Sequence, residues 1–211
     1  MTGAQAITKF QNMVDDVLDS DYMYQLLNDA KDEVEAMLVW EQLKRETSFS
    51  ISAGYAYTSV ATALPTRFAL PVRMIEYSSY LPYDKFDFDD LHAKVNAPYG
   101  YFIDLNGGNI YLTGSAHSAK TMYFYYTLYS ADITSGTSWA FPDRFHSILP
   151  LKMAELYYAS DAGERGRSWD DKWAIQFERE LGRMTAWNDK LKLTGRSQRN
   201  TSRAISPKAV S

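Results

Sequence analysis

The hydrophobic period changes twice along this 211-residue chain, and that order constrains its fold more than any single motif. Apolar residues recur at three and four positions up to about residue 46 and at two from Thr47. The helical period returns beyond Trp139–Pro142. A 3.6-residue period gives a helix one apolar stripe, and a two-residue period gives a strand one apolar face. Helices therefore flank a run of strands, which is an α+β order rather than an alternating α/β one.

Residues 5–19 read as a short helix, with Ile7, Phe10, Val14, Val17 and Leu18 on one stripe. Ser20 is the expected N-cap of a second helix running from about Asp21 to Arg45. Its apolar face carries Met23, Leu26, Leu27, Ala30, Val34, Met37 and Leu38, while Asp29, Lys31, Asp32, Glu33 and Glu35 fill much of the opposite face. Strands are expected at Phe49–Ala53, Tyr55–Ala61, Val72–Tyr77, Tyr99–Leu105, Ile110–Thr113 and Thr121–Tyr129. Residues 86–93 read as a loop or a helical turn or two. Asn106-Gly107-Gly108-Asn109 reads as a hairpin turn, because Asn and Gly supply positive φ. A helix over 143–161 contains Pro150, which must kink it or start a new one. Gly163 and Gly166 mark a turn, Ser168 caps the last helix, and that helix runs to about Leu193. The expected fold is thus α+β. A helical bundle (1–46 and 142–193) carries an inserted antiparallel β module (47–141), and 194–211 form an extended basic C-terminal arm.

Hydrophobic residues make up 45% of the chain and charged ones 23%, as in a globular protein. Without cysteine there is neither a disulfide nor a thiolate metal site. No apolar run has bilayer length, and Met1–Phe10 lacks a signal-peptide pattern, so a cytoplasm, or a particle assembled there, is the expected location. The net charge of −4 hides an asymmetry. Residues 1–46 hold ten acids and four bases, whereas residues 190–211 hold six bases and no acid. The two ends are suited to different partners, or to each other in neighbouring copies. The 16 tyrosines suit strand faces and subunit interfaces, being flat and apolar with one wet end.

Catalytic and ligand-binding patterns are weak. Gly114 to Thr121 approximates a phosphate-binding loop, but Ala119 replaces the second glycine and a β-prone run follows where a helix is needed, so a hairpin loop is the better reading. His92, His117 and His146 share no metal-ligand spacing. Asp84, Asp87, Asp89 and Asp90 are interleaved with phenylalanines and lack the glycine of a calcium loop. No cofactor or metal is expected. The strand Tyr123–Tyr129 suits a doubly buried or interfacial position, or else a stacking platform for sugars or bases. The basic tail, with Arg196, Arg199, Arg203 and Lys208, suits an arm that orders on an acidic protein partner, ahead of nucleic-acid contact or plain disorder.

In its motif order the chain resembles the head-to-tail adaptor, or connector, proteins of tailed bacteriophages over about residues 5–193. The resemblance rests on Leu27-Asn28-Asp29-Ala30 with Trp40 beyond it, Leu64-Pro65-Thr66-Arg67-Phe68, and Arg73-Met74-Ile75-Glu76-Tyr77. It extends through Tyr99-Gly100-Tyr101-Phe102-Ile103, Gly108-Asn109-Ile110-Tyr111-Leu112 and Pro142-Asp143-Arg144-Phe145-His146, and ends in a helix with spaced Trp and Phe. Pro150 departs from the pattern, since that helix is usually unbroken in the family.

The resemblance implies a structural protein of the virion neck, assembled in the host cytoplasm, without catalysis and without a membrane. It implies a ring of about twelve copies closed by rotation, bound to the portal protein on one side and to a tail or nozzle protein on the other. Viral DNA would pass through without specific binding during ejection. It assigns portal contact to 194–211. An acidic wall would repel phosphates and let DNA slide, with Asp15, Asp16, Asp19, Asp29, Asp32 and Glu33 the candidates. A carbohydrate- or surface-binding module built on the aromatic sheet is the alternative. An enzyme ranks last, because no nucleophile, base and orienting group fall into a recognisable spacing.

Overall fold

The computed structural model describes residues 1–14, 18–56, 59–87, 90–114, 117–159 and 171–203, with the backbone alone at 91, 92, 171 and 195–203. The elements in chain order are α1 (Gly3–Val14), α2 (Ser20–Ala36), β1 (Lys44–Ile51), β2 (Thr62–Ala63), β3 (Phe68–Glu76) and β4 (Pro82–Phe86). They continue with α3 (Leu91–Lys94), β5 (Gly100–Asp104), β6 (Asn109–Leu112), β7 (Lys120–Leu128), α4 (Ile148–Ala159) and α5 (Asp171–Arg203). Two compact units result: Met1–Gln42 with Ser130–Ser211, and Leu43–Tyr129.

In the helical unit, α4 packs against α1, α2 and α5. The stripe of α1 is buried through Ala6, Ile7, Phe10 and Val14, and the Phe10 ring meets Tyr157 of α4 edge-on at 5.8 Å. Asp19 rather than Ser20 caps α2: its carboxylate accepts from the amides of Asp21 (2.9 Å) and Tyr22 (3.3 Å). The helix stops at Ala36, well short of Arg45. Trp40 explains the early stop. It folds back fully buried and donates its indole N–H to Val34 O (3.1 Å), one of the last-turn carbonyls that need an outside partner.

The expected helix over 143–161 is a 3₁₀ turn, Asp143–Phe145, followed by α4. Pro150 is the third residue of α4. Its missing amide falls among those that have no intrahelical partner, so it starts a helix and breaks none. The turn at Gly163 and Gly166 and the cap at Ser168 lie outside the described residues. The helix expected to end near Leu193 continues to Arg203, so over 194–203 the extended arm is corrected to helix. Gly195 costs only about 1 kcal/mol relative to alanine inside a helix. The Thr194 hydroxyl bonds back to Lys190 O (2.9 Å), and the first proline beyond comes at 207.

The sheet unit overturns the expected fold class, a helical bundle with an inserted antiparallel β module and an extended C-terminal arm. Over the described residues the protein is a sheet-rich α+β fold of four longer helices and a seven-stranded, nearly closed, barrel-like sheet. The strand order is β1-β7-β3-β4-β5-β6-β2. Ile51 on β1 at one edge and Leu112 on β6 near the other share one core with Met74, Tyr101, Met122 and Phe124. Distant strands can fill one core only if the sheet curls around it. The sheet is not purely antiparallel either: β4 and β5 run parallel, Asp84 opposite Gly100 and Phe86 opposite Phe102. Residues 87–99, with α3, provide the crossover that a parallel pair requires.

The β5–β6 hairpin forms in register, Tyr101 opposite Leu112 and Asp104 opposite Asn109. Gly108 alone of its turn has positive φ (66°), and the Asp104 carboxylate accepts from Gly107 N (2.9 Å). Of the expected Tyr55–Ala61 strand, residues 57 and 58 lie outside the described residues, and 55, 56 and 59–61 belong to no strand. Tyr55 makes an isolated bridge to His117, and its hydroxyl donates to Ser59 O (2.5 Å).

Candidate functional site

Of the six acids expected on a channel wall, Asp15 and Asp16 lie outside the described residues. Asp19 is exposed, and its carboxylate is engaged in capping α2. Asp29, Asp32 and Glu33 come together on one face of α2. They rim a depression of about 470 Å³ whose floor is Leu26 and Leu156, with Tyr22 and Gln25 beside it. Buried lysines lie against two of them: Lys31 bonds Asp32, and Lys152 of α4 bonds Glu33 (2.7 Å) and Glu155 (3.0 Å). Burial pushes the Lys152 ammonium down, but Glu33 and Glu155 outweigh it and hold it above the ordinary lysine value. Asp29 has neither a hydrogen-bond nor an ion-pair partner among the described residues. Partial burial, and then the Asp32 and Glu33 carboxylates, push it up.

Lys31 and Glu35 do not belong to the solvated face expected of them, since both are fully buried. Together with Asn28 they form a polar stripe on α2 that ties down the irregular segment after β7. Asn28 brackets Ile133, accepting from its amide (2.7 Å) and donating to its carbonyl (3.2 Å). Lys31 donates to Ser130 O (3.1 Å). Glu35 accepts from Ser130 N (2.7 Å), Ser130 Oγ (2.5 Å) and Trp139 Nε1 (2.6 Å). A strandless segment has no ladder, so side chains satisfy its backbone. The signal in the sequence is the spacing 28, 31, 35, a helical stripe of polar residues beside the apolar one. Asn28 belongs to the Leu-Asn-x-Ala motif, and its clamp gives that motif a physical role.

A second groove in the helical unit, about 420 Å³, gathers Arg144, Arg183 and Lys190 around Phe145, Ala186 and Trp187. The Arg144 guanidinium lies 4.8 Å from the Phe145 ring centre and 5.9 Å from that of Trp187. Arg183 pairs with Glu180 (2.8 Å), whereas Arg144 and Lys190 have no anionic partner among the described residues. Arg144 was visible only within the Pro142–His146 motif, and Trp187 only as a spaced tryptophan. The arm residues Arg196, Arg199 and Arg203 fall on the backbone of α5, and Lys208 lies outside the described residues.

The remaining candidates resolve into structural roles. Lys120 opens a strand, not a helix, and its ammonium meets Tyr83 Oη (2.7 Å) and Glu76 (3.3 Å). The loop before it is no hairpin, because β6 and β7 are not neighbours. His117 bonds Thr113 O (2.7 Å), and buried His146 bonds Phe141 O (2.6 Å); the His92 side chain lies outside the described residues. Asp84 is on β4, Asp87 and Asp90 lie just beyond it, and Asp89 falls outside the described residues. Among the described residues no group of three or more His, Asp or Glu side chains could hold a metal ion. On β7, Met122, Phe124 and Tyr126 face the core while Tyr123 and Tyr125 are half-buried on the other side. Their rings are already engaged, Tyr125 under the Arg73 guanidinium (4.3 Å) and Tyr123 edge-on to Tyr77 (5.2 Å), which leaves a poor platform for a sugar. No described helix is long and apolar enough to cross a membrane.

The family model described as "SU10 adaptor protein" matches residues 1–207. No curated protein matches the chain.

Proposed function

The chain belongs to the SU10 adaptor protein family, whose members are structural components of the phage virion, and from this premise we propose that it forms a ring between portal and tail. The observation that carries this reading is the family match across residues 1–207. The ring holds about twelve copies related by rotation. It meets the portal protein on one side and a tail or nozzle protein on the other, and its central channel passes the viral DNA during ejection without binding it specifically. The protein acts by geometry and breaks no covalent bond.

Several features support the reading. A ring subunit must keep its shape under load, and the Asn28–Lys31–Glu35 clamp pins a strandless segment to α2 through buried polar bonds. The basic arm, residues 194–211, suits attachment to an acidic portal surface, with Arg196, Arg199, Arg203 and Lys208 making the contact. The test is electron microscopy and sedimentation of the full chain mixed with the portal protein of the same phage. Rings seated on the portal are expected. Free monomers beside an intact portal would overturn the proposal.

A further inference from the structure

We propose that the cationic groove of Arg144, Trp187 and Lys190 on one copy receives the acidic α2 face, Tyr22, Asp29, Asp32 and Glu33, of a second copy. This rests on the ring reading and supplies its lateral seam. Both surfaces belong to the same unit, in which α2 and α5 each pack on α4. The acidic depression is built from α2 and Leu156 of α4, and the cationic groove from α5 and the turn before α4. One compact unit thus carries two different and complementary surfaces, which is what a heterologous contact needs in order to propagate around a ring.

The chemistry matches group by group. Arg144 lies over the Phe145 and Trp187 rings, and no carboxylate among the described residues claims its N–H fork. An aspartate with no partner of its own is a fitting occupant, and Asp29 is that residue. Lys190 is free to reach Asp32 or Glu33, whose carboxylates stay 42% and 50% exposed although each touches a buried lysine. Both grooves have apolar floors, Leu26 and Leu156 in one and Trp187 in the other, so contact would bury apolar area as well as charge. A DNA-repelling wall needs solvated, uncompensated charge. Here two of the three carboxylates are backed by Lys31 and Lys152, so this face fits a protein contact better than the channel wall expected for it.

The natural chain has no cysteine, which makes the seam directly testable. The double variant Gln25→Cys with Ala186→Cys, which places one thiol beside each groove and keeps every charged partner of the seam, is treated with a short bismaleimide under ring-forming conditions, and each single variant is treated alongside it. On a denaturing gel the double variant should give a ladder of covalent multimers at least several-fold above the trace seen with either single variant. Circular dichroism matching the natural chain shows that the variants are folded. Covalent dimers from either single variant would mean a symmetric contact and overturn the seam. Rings by sedimentation without cross-links would overturn the seam and leave the ring reading standing. The absence of rings with or without portal would remove both.

Discussion

In residues 43–129 the backbone pairs mostly strand to strand, from Lys44 opposite Thr127 to Ile51 opposite Lys120, around a mainly apolar interior. In the helical unit, residues 130–141 form no strand, and Asn28, Lys31 and Glu35 supply the partners a ladder would have given. The difference shows where each unit is vulnerable. Truncation of a ring leaves a cavity in the sheet unit, whereas truncation of a carboxylate in the helical unit leaves buried donors unpaired.

Phe124→Ala should give the largest effect. Phe124 is fully buried between Tyr101 (6.1 Å), Phe68 (6.1 Å) and Tyr126 (5.3 Å), and its loss should cost about 3–5 kcal/mol in urea unfolding. Hydrogen exchange should speed up mainly within 43–129. Glu35→Ala should come next, at about 3 kcal/mol, because it removes the acceptor of Ser130 N, Ser130 Oγ and buried Trp139 Nε1 at once. Its faster exchange should fall at 130–141. Glu35→Gln keeps one acceptor oxygen and should lose roughly half as much. A Glu35→Ala variant as stable as the natural chain would break the contrast between the units.

The sequence showed some of these elements and concealed others for physical reasons. The β5–β6 hairpin was legible because Gly107-Gly108 sits between two alternating runs. β2 has two residues and β4 begins with Pro82, so neither carries enough period to declare itself, yet both belong to the sheet. Without them the β section read as a module on a bundle rather than as a curled sheet with its own core. The end of α5 is hidden because Gly195 and a polar composition imitate a break, although neither forbids a helix. Charged residues are rarely buried, which points Glu35 and Lys31 toward solvent, whereas the 28-31-35 spacing points the other way. Of the proposed seam, the charge asymmetry was legible at the chain ends. Its cationic half was not, because Arg144 and Lys190 are far apart in sequence and meet only through folding.

Two carboxylates give the units opposite responses to acid. Burial alone would push Glu76 in the sheet unit up, but the Ser78 hydroxyl and the Lys120 ammonium outweigh it and hold the carboxyl below its ordinary value. Its folded pKa is depressed, so its stabilisation is present above the unfolded pKa and lost as pH falls through the folded one. Glu76→Gln should flatten the acid limb of the sheet unit's stability, read by hydrogen exchange between pH 6 and pH 3.

Asp29 behaves in reverse. Burial and the neighbouring carboxylates raise its pKa, so the ionised form burdens the fold at neutral pH and the burden lifts as pH falls through the folded pKa. Solvent screens an exposed group, so relief by Asp29→Asn should be small, about 0.3 kcal/mol, or a rise in Tm of about 1 °C. The same change should weaken ring formation, because it removes the carboxylate that the Arg144 fork of the next copy would take. A residue that costs its own fold and strengthens association is what an assembly surface predicts. If Asn at position 29 raised the Tm and left the rings intact, the repulsion on α2 would be an incidental feature of this helix and the seam would have to lie elsewhere.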